Sequence, residues 1–144
     1  MKLGLCQMPV TASKAENYET MRRYVRDAAA AGWDLIVLPE MWCCPYSNAA
    51  FAEYAEPQGG DTWRLLSKTA QECGIWLVAG SVPERDGDAI YNTCYVFDPQ
   101  GTQQAKHRKV HLFDIDVAGG QRFFLATAVN HQRRALFHPH GLIE

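Results

Sequence analysis

Glu40 and Lys109 are the residues of this sequence best placed to do chemistry. Glu40 follows Asp34-Leu35-Ile36-Val37-Leu38-Pro39, an apolar run of strand length that Pro39 ends, and Lys109 lies inside the basic stretch KHRKVHLFD, residues 106–114. A carboxylate at such a place can take a proton, and a fixed ammonium can stabilise an oxyanion that develops beside it. Covalent chemistry on a carbonyl needs a nucleophile as well. All five cysteines, Cys6, Cys43, Cys44, Cys73 and Cys94, precede Lys109, so no thiol follows the cation.

Each of these features also has a plainer reading. Taken alone, Glu40 is a solvated loop carboxylate, because most glutamates are exposed. The basic stretch by itself is an exposed strand edge that uses lysine to discourage pairing with other chains. It is short and carries no interleaved stacking aromatics, which argues against nucleic-acid binding. His107 and His111 share a face in a helix or a strand, but two histidines without a third ligand do not define a metal site.

Both candidates depend on the elements that deliver them. Leu3–Cys6 reads as a short strand, broken at Pro9. Ser13 and Glu16 have the spacing of a capping box, Tyr18, Met21, Val25 and Ala28 recur at helical intervals, and Gly32 supplies a left-handed stop. Leu35–Leu38 has the continuous apolar character of a strand covered on both faces, and Pro39 keeps Leu38 extended, so Glu40 leaves a rigid stem. Asp61 is placed to cap a second helix with Leu65, Leu66, Ala70 and Cys73 inward and Gly74 as its stop. Ile75–Ala79 is the next buried strand. Tyr91–Phe97 and Thr102–Lys106 flank Asp98-Pro99-Gln100-Gly101, a turn sequence that predicts a β-hairpin. This order predicts an α/β layer architecture with a mixed sheet, whose chemistry belongs beyond the carboxyl ends of the strands.

The whole chain bounds the reading further. Its 144 residues fit one domain, its formal net charge is −2, and 47% of its residues are apolar, which excludes neither a core nor an enzyme and gives no support to polyanion binding. Charge is uneven: residues 1–100 hold 8 basic and 13 acidic side chains, whereas residues 101–144 hold 6 basic, 3 acidic and all five histidines. An odd number of cysteines without C-x-x-C spacing fits reduced thiols. With no signal-peptide core, no apolar run of membrane length and no glycine-rich phosphate loop, the expectation is a soluble cytoplasmic protein that binds neither membrane nor nucleic acid.

Several separated strings then act together. LIVLPEMW, Pro45-Tyr46, Gly80-Ser81-Val82-Pro83-Glu84, Tyr91-Asn92-Thr93 and KHRKVHLFDID resemble, in order, the carbon–nitrogen hydrolase (nitrilase) superfamily, and within it the omega-amidase branch. The resemblance implies an αββα sandwich with a mixed sheet, incomplete in this chain. It also implies a Glu-Lys-Cys triad in which Glu40 is the general base and Lys109 the stabilising cation, with Tyr46 touching substrate. The mechanism it carries is attack of a thiolate on an amide carbon, loss of ammonia and hydrolysis of the thioester, without metal or organic cofactor. Small carboxamides, 2-oxo acid monoamides among them, are the implied substrates, and association into homo-oligomers is a further expectation.

The resemblance covers residues 1–123. Beyond Phe123 the sequence FLATAVNHQRRALFHPHGLIE has no acid before Glu144 and no thiol, where the family's pattern carries a second functional glutamate and the nucleophilic cysteine. Residues 1–123 are therefore read as the N-terminal part of a hydrolase domain and residues 124–144 as an unmatched, disordered tail. An alternative splice end, a frameshift or a truncated gene model accounts for such a switch; a divergent native tail competes with it. The first expectation is an amidase-family chain that is inactive alone. Its rivals are a noncatalytic fragment acting through association with complete homologues and a small nucleic-acid binder with a basic tail.

Overall fold

The computed structural model describes residues 1–111, together with a short backbone pairing of Asp114–Ile115 with Phe123–Phe124. The expected disorder of residues 124–144 lies outside the described residues.

Ser13 caps the first helix, α1 (Lys14–Ala30), by accepting a hydrogen bond from the Glu16 amide. The Glu16 carboxylate does not complete the box: it accepts from the Thr11 hydroxyl, and Thr11 Oγ1 in turn receives the Ser13 amide. Met21 and Val25 are fully buried on the inward face. A strand, β1 (Leu3–Leu5), precedes this helix, and β2 (Leu35–Val37) follows it.

Two elements escape the sequence reading. A seven-residue helix, α2 (Asn48–Tyr54), is capped by Ser47 and packs Ala50 and Phe51 inward. The strand β4 (Val82–Asp86) carries Glu84 into the interior. Between them lie α3 (Asp61–Cys73) and β3 (Trp76–Val78). Asp61 does not cap α3 as expected. Gly60 occupies the cap position and has no side chain to offer, so the Glu56 carboxylate reaches the free Thr62 amide at 2.7 Å and serves in its place. Gly74 ends the helix in the left-handed conformation, as its position predicts.

The hairpin is present as β5 (Ala89–Phe97) and β6 (Gln103–Arg108), joined through Asp98 to Gly101. Asp98 Oδ1 accepts the amides of Gln100 and Thr102 and thereby fixes the turn. Strands β1, β2 and β3 run parallel, and β5 pairs antiparallel with β3, β4 and β6, giving one six-stranded mixed sheet.

Register divides the sheet into two faces. Gly4, Ile36, Leu77 and Phe97 form one cross-strand row; Ile36, Leu77 and Phe97 in it are buried. This row belongs to the core cluster that also takes in Met21 and Val25 of α1 and Leu66 and Ala70 of α3. The alternate row is Leu5, Val37, Val78 and Val96, beside Leu3, Leu35 and Trp76. Leu3, Leu5 and Trp76 on it are exposed, so among the described residues no second layer covers this apolar face.

Candidate active site

Glu40 emerges from β2 through a loop that is stitched to the loop after β3. Leu38 N donates to Val78 O at 2.9 Å, Ser81 N to Pro39 O at 3.3 Å, and Met41 N to the Ser81 hydroxyl at 3.1 Å. Trp42 is wholly buried and donates its indole N–H to Ala79 O at 3.0 Å. Gly80 permits the close approach. Its φ is +56°, and a Cβ there would stand 2.0 Å from Pro39 O and 2.4 Å from Leu38 O. Met41, next to Glu40, has φ +50°, a sparsely populated conformation for a non-glycine residue that these contacts hold in place.

Lys109 arrives from the other direction, just past β6. Its amide donates to Asn92 O at 2.8 Å, which extends the hairpin ladder by one residue. The Lys109 ammonium meets Glu40 Oε1 at 2.7 Å. Asn92 Nδ2 donates to the same oxygen, also at 2.7 Å. Residues 69 positions apart in the chain thus share one oxygen, with Asn92 as the third member. In the sequence Asn92 stands out only within the string Tyr91-Asn92-Thr93; alternation along β5 is the signal that puts it on one face with Cys94 and Val96.

Partial burial pulls the Glu40 carboxyl upward, but the hydrogen bonds and charge of Lys109 and the Asn92 amide outweigh it and hold the group below its ordinary value. The same contact with Glu40 raises Lys109. At neutral pH the pair is therefore carboxylate and ammonium. Tyr46 sits near this pair: desolvation and the Glu40 charge raise its phenol, and its hydroxyl in turn helps to hold the Glu40 carboxyl down. The Tyr46 ring is exposed and packs edge-on against Phe51 with centroids 5.1 Å apart.

A pocket of about 280 Å³ opens over this cluster, lined by Glu40, Gly80, Ser81, Asn92, Cys94, His107 and Lys109. Tyr46 does not line it. His107 and His111 do not come together with a third ligand, and among the described residues no group of three or more His, Cys, Asp or Glu is arranged to hold a metal ion. No helix among those residues is long and apolar enough to cross a membrane.

The rest of the basic stretch faces the opposite way and is more than an exposed edge. Lys106 and Arg108 bind the buried Glu84 at 2.5 and 2.7 Å, and Thr93 donates to it at 2.7 Å. Arg108 also stacks over Tyr91, 3.9 Å from the ring centroid. Alternation along β6 thus sends Lys106 and Arg108 to a structural ion cluster and leaves His107 and Lys109 for the pocket.

A deprotonated carboxylate fixed to an ammonium, at the carboxyl end of a parallel strand and beside an open pocket, is an arrangement for proton transfer next to a developing negative charge. The chain belongs to the carbon–nitrogen hydrolase family, whose model matches residues 2–138. It is 48% identical over 122 residues to the omega-amidase NIT2 of Danio rerio, covering 85% of this chain and 44% of that protein. Over 118 residues it is 45% identical to the Homo sapiens omega-amidase NIT2, covering 82% of this chain and 43% of the relative. Saccharomyces cerevisiae Nit3, a member of branch 10 of the nitrilase superfamily, superposes with a TM-score of 0.66 at 33% identity, covering 71% of this chain and 41% of Nit3. The fold is the α/β fold of that superfamily. The chain spans less than half the length of these curated relatives.

Proposed function

We propose that this chain carries the base and the cation of an amidase-type carbon–nitrogen hydrolase whose complete form cleaves small carboxamides, 2-oxo acid monoamides in particular. The 2.7 Å contact between Lys109 and Glu40 is the observation that carries the reading. In the proposed reaction Glu40, held as a carboxylate, accepts the proton of an attacking thiol. Lys109 donates to the oxygen that becomes negative as the amide carbon turns tetrahedral, an effect worth several kcal/mol in comparable preorganised sites. Glu40 then returns the proton to the departing ammonia, and water hydrolyses the thioester by the same route in reverse.

Asn92 and Ser81 are positioning residues in this scheme. Asn92 fixes the Glu40 oxygen, and Ser81 fixes the backbone from which Glu40 projects. The nucleophile of the family's triad has no counterpart after Lys109 in this sequence, so the 144-residue chain alone is proposed to be inactive toward carboxamides. Ammonia release from a 2-oxo acid monoamide tests this. Release at background supports the proposal; sustained release by the purified chain that disappears in Glu40→Gln overturns the inactivity and leaves the site assignment standing.

The second reading, a noncatalytic fragment that associates with complete homologues, draws on the apolar row of Leu3, Leu5 and Trp76, which no layer covers among the described residues. Co-purification with a full-length omega-amidase, lost on Leu5→Lys, supports it. Failure to co-purify at micromolar concentration refutes it.

A further inference from the structure

Of the five thiols, only Cys94 lines the pocket that holds Glu40 and Lys109. Cys43 and Cys44 are buried in the loop after Glu40, and Cys6 and Cys73 are half-buried elsewhere. The β5–β6 ladder sets Cys94 directly opposite His107. Directly opposed residues in an antiparallel ladder hold their Cβ atoms about 4.5–5.5 Å apart on one face. Two residues along, Asn92 and Lys109 lie on the same face and line the same pocket. A thiol, an imidazole, an ammonium and a carboxylate therefore converge on one cavity.

Burial pushes the Cys94 thiol up, and a hydrogen bond from the Ala79 backbone offsets only part of this. Near neutral pH the sulfur is protonated, and it must give up that proton to react. Glu40 is engaged with Lys109 and Asn92. The Cys94 thiol donates to the Tyr95 carbonyl at 3.7 Å, and the exposed His107 faces Cys94 across the ladder.

We infer that Cys94 is a nucleophile of this pocket toward small alkylating agents, at saturated carbon and not at amide carbonyls, with His107 accepting its proton. With iodoacetamide, His107 takes the S–H proton, the sulfur forms a bond to the methylene carbon, the carbon–iodine bond breaks, and iodide leaves with its electron pair. The imidazolium then returns its proton to water. This reactivity goes beyond amide hydrolysis and does not depend on it.

The test is a time course of alkylation of the native chain by limiting iodoacetamide, read cysteine by cysteine through peptide mass spectrometry. Half-buried Cys6 and Cys73, outside the pocket, serve as internal references. Cys94 is expected to react about a hundredfold faster than either, the low end of what a positioned general base contributes. His107→Gln should bring Cys94 down to the reference rate and leave Cys6 and Cys73 unchanged, and in denaturant the advantage of Cys94 should vanish. A native Cys94 rate equal to or below that of Cys73 overturns the inference, as does an advantage that survives His107→Gln. Because no amide turnover is read, either failure leaves the roles of Glu40 and Lys109 untouched.

Discussion

Replacing Glu84 by glutamine should destabilise the protein strongly at neutral pH and hardly at all in acid. Glu84 is 2% exposed and bound by Lys106, Arg108 and Thr93. Burial by itself would raise its carboxyl, but hydrogen bonds from Arg108, Lys106 and Thr93 outweigh that effect and bring it from the ordinary 4.5 down to about 2. A carboxyl depressed on folding binds its proton more tightly in the unfolded chain, so it stabilises the fold fully above pH 4.5 and loses that contribution as pH falls toward 2. At about 1.4 kcal/mol per pH unit, the interval corresponds to about 3 kcal/mol. In a domain of this size that is a shift in Tm of roughly 6–12 °C. Glutamine keeps the shape and one hydrogen-bond acceptor but leaves Lys106 without a counter-charge and Arg108 with Asp86 alone, which pushes the loss toward the upper end.

The assay is thermal or urea unfolding of the wild-type chain and Glu84→Gln across pH 7 to pH 2. Glu40 and Glu56 are also held below their ordinary values, so the difference between the two proteins, and not the wild-type curve alone, isolates Glu84. The expected difference is about 3 kcal/mol at pH 7, shrinking through the window between 4.5 and about 2. Parallel curves at all pH values would refute the reasoning, because they would mean that Glu84 titrates alike in the folded and unfolded chains.

Other outcomes follow from the same contacts. Gly80→Ala should cost about 1–2 kcal/mol for the left-handed backbone alone, and more because its methyl group meets Pro39 O at 2.0 Å; urea unfolding checks it, and a loss under 1 kcal/mol counts against the stitched loops. Asn92→Ala should raise the pKa of Glu40, since one favourable hydrogen bond is removed, and carbon-detected NMR titration of the glutamate carboxyls should show the midpoint moving upward. Lys109→Met should raise it further, because a charge and a hydrogen bond are lost together; an unmoved midpoint in both variants would contradict the geometry.

Sequence made the local elements legible where a single residue type fixes the backbone. Ser13 as cap, Gly74 as stop and the Asp98-Pro99-Gln100-Gly101 turn all depend on neighbours within a few positions, and the structure has each of them. The run ending at Pro39 likewise announced the strand that delivers Glu40. What stayed hidden depends on partners far away. The polar tail of β4 gives no strand signal, because the Glu84 charge is balanced inside by Lys106 and Arg108, more than twenty residues on. The cap of α3 is hidden for a similar reason, since Glu56 reaches it through tertiary geometry and not through the usual spacing. Helix α2 is too short to show a period, and Asn92 is an ordinary strand residue until Glu40 is set beside it. The exposed face that carries Cys94 and His107 emerges only from register.

The central claim is that Glu40 and Lys109 are the base and cation of an amide-hydrolysing site, and a chimera tests it most directly. Residues 1–123 of this chain are joined to the nucleophile-bearing back half of an omega-amidase, and ammonia release from a 2-oxo acid monoamide is followed for the chimera and for its Glu40→Gln and Lys109→Ala variants. The account predicts turnover by the chimera and a loss of about a thousandfold or more in each variant, since members of a catalytic triad act as a unit. A chimera that turns over substrate equally well without the Glu40 carboxylate would contradict it.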